Sequence, residues 1–344
     1  MNYEYKPYNI NLLTEESVRE KNCLYNDCIK LGVLLILYNV LNNVFAYLFY
    51  YISYFVLAND FTLSYDKVID YLVDEKYELV TSTAYRMSAN ISITFFSLLI
   101  IALVGKFLMR IKLDGFLKPT GKGIKTAFVW LPGCFVINMI FSLLVAYLTS
   151  YLNTQGITVP TSDFSLSSAS AASIIMQFSY VIVIAPIFEE LIYRGLILGV
   201  LSKYGNSAAI LFSALAFGLM HGNVPQAASS FGAGIVYAVI AVNCGSVVPT
   251  IIIHSMNNFI ANLPDIASAV GIPQFDLMFS ILEITIALAG FYVLFTRYNF
   301  LKYRENNKNL DKKIVSKTVF TNPVVIIYFV LMVIDMAKNI ISAN

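Results

Sequence analysis

The stretch SIIMQFSYVIVIAPIFEELIYRGLILGVLS, residues 173–202, places Glu189, Glu190 and Arg194 in a run that is otherwise apolar or weakly polar. A helix that spans a bilayer needs roughly 20 predominantly apolar residues, and this run is long enough. A carboxylate at the bilayer centre costs at least ~2.5 kcal/mol, so acids that persist there are paired or functional. Glu190 and Arg194 are four residues apart and share one helix face, where they can pair. Glu189 then points about 100° away around the helix. The two adjacent acids therefore divide into a braced member and a free one. The plain alternative is a helix end at the interface, with its charges in water.

The rest of the chain supports a membrane reading. Of 344 residues, 58% are hydrophobic and 13% charged, about half the charge of an average soluble domain. Spans are predicted over Leu31–Ala58, Ser88–Gly105, Thr126–Leu152 (interrupted by Pro132 and Gly133), Ser173–Ser202, Ser207–Met220, Ala227–Val242, Val247–Leu263, Phe275–Thr296 and Val319–Met336. The fold class is an all-α, polytopic transmembrane helical bundle of about eight to nine spans. Tyr and Phe, 23 and 25 residues, fall often near span ends, as an interfacial aromatic belt does.

Lys and Arg set the orientation. Lys106–Lys125 holds six bases and one acid, and Arg297–Lys317 seven bases and two acids. Asp60–Arg86 holds six acids and three bases, and Asn153–Ala171 no base. The first pair is expected in the cytoplasm and the second outside, with the N-terminus inside. A cell-membrane location follows. The first thirty residues are mixed in charge and precede the first long apolar run, which is not the layout of a signal peptide. A net charge of +2 without a basic stripe argues against a nucleic-acid partner. Cys23, Cys28, Cys134 and Cys244 are scattered away from any histidine and form neither a zinc motif nor a disulfide framework.

Between Lys203 and Arg297 there is no Lys or Arg, yet both histidines of the chain fall there. Phe217-x-x-x-His221 ends the fifth span. His254-x-x-x-Asn258 lies in the seventh, and its spacing of four puts both residues on one face. Asn257 falls on a different face and is the weaker candidate. With Gly205 as the turn, Glu189 lies 16 residues before it and His221 16 after it. Both then sit roughly 24 Å from the turn, at one level. His254, about nine residues past the next turn, is expected to be less deep, roughly 14 Å along its helix. Glu283 and Asp335 are further acids within spans, with cavity lining and an interfacial position as their respective readings.

Glu189-Glu190-x-x-x-Arg194, Phe217-x-x-x-His221 and His254-x-x-x-Asn258, in this order, resemble the three motifs of the CPBP family. That family is the type II CAAX prenyl endopeptidase and bacteriocin-processing (Abi) group of intramembrane proteases. The motifs cover about Ser173 to Leu263. The resemblance implies an all-helical fold with its site in a cavity inside the membrane. It also implies proteolysis near the C-terminus, or near a membrane-bound segment, of the substrate. Relatives cleave prenylated CAAX proteins in eukaryotes and are linked in bacteria to bacteriocin immunity and peptide maturation. The Asn-, Ile-, Lys- and Tyr-rich composition points to an AT-rich bacterial genome, hence to a bacterial peptide or membrane protein as substrate.

On this reading residues 1–30 form a cytoplasmic segment, 31–172 the N-terminal helices, 173–263 the catalytic core and 264–344 the C-terminal helices. The catalytic candidates are Glu189 as general base, His221 to orient or activate water, and His254 and Asn258 as oxyanion donors. Glu190, Arg194 and Phe217 are supporting residues. Cys134 and Cys244 have no histidine partner by position, which leaves water as the nucleophile. No cofactor is expected; the alternative is zinc held by Glu189, His221 and His254. The expected partners are the bilayer and a membrane-embedded or lipid-anchored peptide or protein substrate. The competing readings are a non-catalytic immunity or binding protein on the same fold, and a transporter, for which the expected internal repeats are missing.

Overall fold

The computed structural model describes residues 14–110, 117–160, 171–272, 275–306 and 309–342. The start of the N-terminal segment, residues 1–13, and parts of three charge-bearing loops (111–116, 161–170, 307–308) lie outside the described residues. The described residues hold no strand. The order is α1 (Glu15–Ala58), α2 (Tyr65–Asp70), α3 (Tyr77–Val80), α4 (Thr83–Met109), α5 (Gly121–Thr154) and α6 (Ala171–Leu201). There follow α7 (Asn206–Leu219), α8 (Val224–Cys244), α9 (Val248–Ala261), α10 (Leu263–Val270), α11 (Phe275–Arg297), α12 (Lys312–Phe320) and α13 (Pro323–Ser342).

Each predicted span is helical over most of its length, but the ninth, Val319–Met336, crosses the break between α12 and α13 at Thr321 and Asn322, and in the seventh, Val247–Leu263, α9 ends at Ala261. Seven helices among the described residues (α1, α4, α5, α6, α8, α11 and α13) are long and apolar enough to cross a membrane. The fold is a polytopic helical bundle. The other two predicted spans, α7 and α9, are 14 residues each, or about 21 Å, short of a ~30 Å hydrocarbon core. They are core helices inside the bundle. α7 is buried over most of its circumference (Ala209, Phe212, Ala214 and Phe217 among others), with Leu211 exposed on the remaining side. It is short because Gly222, at φ 69°, turns the chain, after which the Asn223 side chain caps α8 by accepting from Gln226 N.

α5 runs unbroken through Pro132, where the sequence predicts an interruption. Tight packing of neighbouring helices is what tolerates such a residue. α11 comes so close that a Cβ at Gly290 would fall on the Pro132 carbonyl. α1, α4, α6, α7, α8, α12 and α13 share one apolar core. α5, α8 and α9 share a second, around Trp130 and Tyr237. Large side chains such as Phe107, Tyr147 and Phe295 face outward, where lipid is the solvent that suits them.

α6 is not uniform. It carries a π turn over Tyr180–Ile184, Pro186, and a π segment over Leu191–Leu198. In the π register, carbonyl i is bonded by N–H i+5. Tyr180 O accordingly receives Ala185 N, whereas Val181 O would need an N–H from Pro186, which has none.

Candidate active site

That carbonyl is met from another helix. Asn258 Nδ2, on α9, donates to Val181 O at 2.9 Å. The half-buried acceptor is thereby satisfied, and α9 is tied to α6 at the level where the polar residues gather.

Glu190 and Arg194 are both fully buried. Arg194 Nη1 donates to Glu190 Oε1 at 2.9 Å, and Nη2 to Gly234 O at 3.2 Å. The guanidinium stacks 4.2 Å from the Phe217 ring centroid and 5.3 Å from that of Tyr237, a cation–π arrangement. A Cβ at Gly234 would come within 3.2 Å of Arg194 Nη2, Ala214 and Phe217, so the glycine lets α8 close on the guanidinium. Glu190 Oε2 and Arg194 Nε have no hydrogen bond among the described residues.

His254 Nδ1 lies 3.1 Å from the same Glu190 Oε1. A carboxylate paired with arginine only accepts, so Nδ1 carries the proton and Nε2 keeps its lone pair in neutral imidazole. This is how a carboxylate orients a working histidine. Nε2 faces Glu189 Oε2 at 3.7 Å, beyond direct hydrogen bonding. His221 has the same polarity for a different reason. Its Nδ1 faces two backbone carbonyls, Phe217 O at 3.0 Å and Gly218 O at 3.3 Å. Its Nε2 lies 3.4 Å from Ser230 Oγ. Phe217 stands edge-on between the two imidazoles, with centroids at 5.4 and 5.6 Å.

Glu189, His221, His254, Asn258 and Phe217 line one cavity of about 370 Å³, a volume in the range of ligand sites. Glu190 and Arg194 stand behind its wall. Glu189 and His254 stand at one level, 3.7 Å apart, where the hairpin count places His254 less deep. Asn257 also lines the cavity, contrary to the reading that set it on another face. Positions 254, 257, 258 and 261 are spaced i, i+3, i+4, i+7, which is a single face.

The same periodicity marks walls that the motif reading left out. α6 contributes Gln177, Tyr180, Val181, Ala185 and Glu189, and α8 contributes Gln226, Ser229, Ser230, Ala233 and Tyr237. Polar residues repeating at three and four in apolar helices were the available signal. Ser230 beside His221 is a pairing that the sequence did not disclose. Cys134 is buried away from the cavity, and Glu283 is not on its wall.

Among the described residues no three His, Cys, Asp or Glu side chains are grouped so as to hold a metal ion. Glu189, His221 and His254 share the cavity without forming such a cage. No curated protein and no solved structure matches the chain. Residues 171–260 match the family model described as type II CAAX prenyl endopeptidase Rce1-like, a protease family, which is consistent with a CPBP protease.

Proposed function

We propose that this chain is an intramembrane endopeptidase that hydrolyses a peptide bond of a membrane-associated protein or peptide, with water activated at Glu189. The observation that supports it most is the convergence of Glu189, His221, His254 and Asn258 on one largely buried cavity, inside the segment with the endopeptidase match.

In the proposed reaction, water sits between Glu189 and the Nε2 lone pair of His221. Glu189 takes its proton, and the hydroxide oxygen adds to the scissile carbonyl. The second amide proton of Asn258, the one not given to Val181, donates to the oxyanion. His254 turns Nδ1 to Glu190 and Nε2 to Glu189, so it is assigned proton relay rather than oxyanion donation. It receives the proton from Glu189 and delivers it to the leaving nitrogen, whereupon the C–N bond breaks. Glu190 holds the His254 tautomer, and Arg194 holds Glu190. No step runs through a metal.

The test is cleavage of a membrane-anchored peptide by the full chain in lipid vesicles. Glu189→Gln is expected to lower the rate by about 10²–10⁴, the usual share of a general base, with unchanged melting. Activity within a few-fold of the parent would remove Glu189 from the chemistry. Stoichiometric zinc in purified protein, together with chelator-sensitive cleavage, would overturn the metal-free route.

A further inference from the structure

A second groove lies outside the catalytic cavity. α1, α2, the π turn over Tyr71–Glu75, α3 and the start of α4 border a volume of about 530 Å³. It shares no lining residue with the catalytic cavity. The two are neighbours all the same. α4 turns Ile93 to the groove and bonds through Thr94 to Tyr180 on the cavity wall.

The groove joins two kinds of chemistry. Tyr65, Ile69 and Val73 recur at intervals of four, on one face, and with Ile93 they form an apolar wall. Tyr65 and Val73 are 41% and 47% exposed. Arg86, also exposed, lines the same groove. It stands in the first turn of α4, where a cation opposes the helix dipole. Among the described residues its guanidinium takes part in no ion pair. Lys67, by contrast, is held by Asp60, and Lys76 lies over the Tyr71 ring.

Depth in the bilayer separates the two. Arg86 precedes the apolar run that begins at Ser88. Ile93 is seven residues further along α4, roughly 10 Å deeper. The headgroup region adds roughly 5–7 Å on each side of the hydrocarbon core, so Arg86 stands at phosphate level when Ile93 is among acyl chains. A guanidinium fork matches a phosphate, and the apolar wall matches a chain. A peptide strand would need partners for its backbone groups, which Ile69, Val73 and Ile93 do not supply. The surrounding charge then selects the headgroup. Residues 60–86 hold six acids and three bases, and exposed Asp66 and Asp70 follow Tyr65 and Ile69 directly. That excess repels a head of net negative charge but not one in which an amine balances the phosphate.

We infer that this groove binds a zwitterionic, amine-bearing phospholipid, with its phosphate on Arg86 and one acyl chain along Ile69, Val73 and Ile93. The site is independent of the protease reading.

The test uses the full chain in detergent micelles and lipids with a photoactivatable diazirine in one acyl chain, the adducts being mapped by peptide mass spectrometry. Phosphatidylethanolamine is expected to label residues 65–93. Phosphatidylglycerol should label them less, with added salt narrowing the gap, and diacylglycerol, which lacks the phosphate, should also label them less. Glycerophosphoethanolamine, the headgroup without chains, should not compete. Arg86→Gln is expected to weaken phosphatidylethanolamine labelling about two- to fivefold, the range for an exposed ion pair, and to leave diacylglycerol unchanged. Val73→Asp, at an exposed position, should weaken labelling by all three lipids with unchanged melting. The inference is overturned by adducts that fall outside residues 65–93, by equal labelling with diacylglycerol, by stronger labelling with phosphatidylglycerol, or by an Arg86→Gln protein that labels like the parent. Displacement by glycerophosphoethanolamine would make this a site for a soluble phosphate ester and would overturn it too.

Discussion

Arg194 carries its charge where solvent does not reach, held by one carboxylate, one backbone carbonyl and two aromatic faces. Removing one partner of a buried pair leaves the other uncompensated, at a cost of about 3–5 kcal/mol. Arg194→Ala should therefore lower the melting temperature in detergent and the yield of folded protein. Arg194→Lys should recover part of that, since an ammonium lacks the planar fork and stacks less well on Phe217 and Tyr237. Unchanged melting in Arg194→Ala would mean that the pair is not a brace. This pair was legible from spacing alone, because a residue and its i+4 neighbour meet on any helix. The partner that Glu190 takes from α9, His254, was not.

At the scale of elements, contacts between helices depend on residues small enough to let backbones meet. Gly290 is such a residue, since a Cβ there would fall on the Pro132 carbonyl and Val136. Gly290→Ala should push α11 off α5 and cost about 1–3 kcal/mol, the usual range for overpacking. Gly121→Ala, with nothing within 4 Å of its added Cβ, should melt like the parent. Outside the spans, Asp60 ties the α1–α2 connection. It accepts from Lys67 Nζ at 3.0 Å, Phe61 N at 2.8 Å and Tyr54 OH at 3.1 Å. The Lys67 hydrogen bond, then those of Phe61 and Tyr54, hold its carboxyl below the ordinary carboxylate value. A lowered folded value means that the stabilisation is present above the unfolded value and is lost as pH falls through the folded one. Hydrogen exchange in Tyr65–Val80, corrected for intrinsic rate, should accelerate below about pH 4 relative to pH 6. Asp60→Asn should abolish that difference, and a flat profile in the parent would exclude the tie.

For the molecule as a whole, the cavity is reached from the end of the bundle where α6 begins and α7 and α9 finish. The basic residues of Arg297–Lys317 and the Lys203 turn lie at the other end. Positive charge stays on the cytoplasmic side, so the cavity mouth should open outward. In a Cys23→Ser background, a cysteine at exposed Lys312 should react with an impermeant thiol reagent only after the cells are opened. A cysteine at Leu63, 81% exposed, should react in intact cells. The reverse labelling pattern would invert the orientation.

The sequence by itself determined the helices, the membrane as their solvent and the Glu190–Arg194 pair. Each depends on neighbours within a few residues, through hydropathy, helical period and i+4 contact. Nine helical segments were legible this way, and so was the 14-residue length of α7, but not that α9 stops at 14 residues. Only the tertiary structure decided that His254 Nδ1 meets Glu190, that Asn258 serves the carbonyl left open by Pro186, and that Ser230, Gln177 and Asn257 join the wall. These depend on the relative depth and rotation of different helices. π turns shift both without altering the apolar pattern from which a span is read.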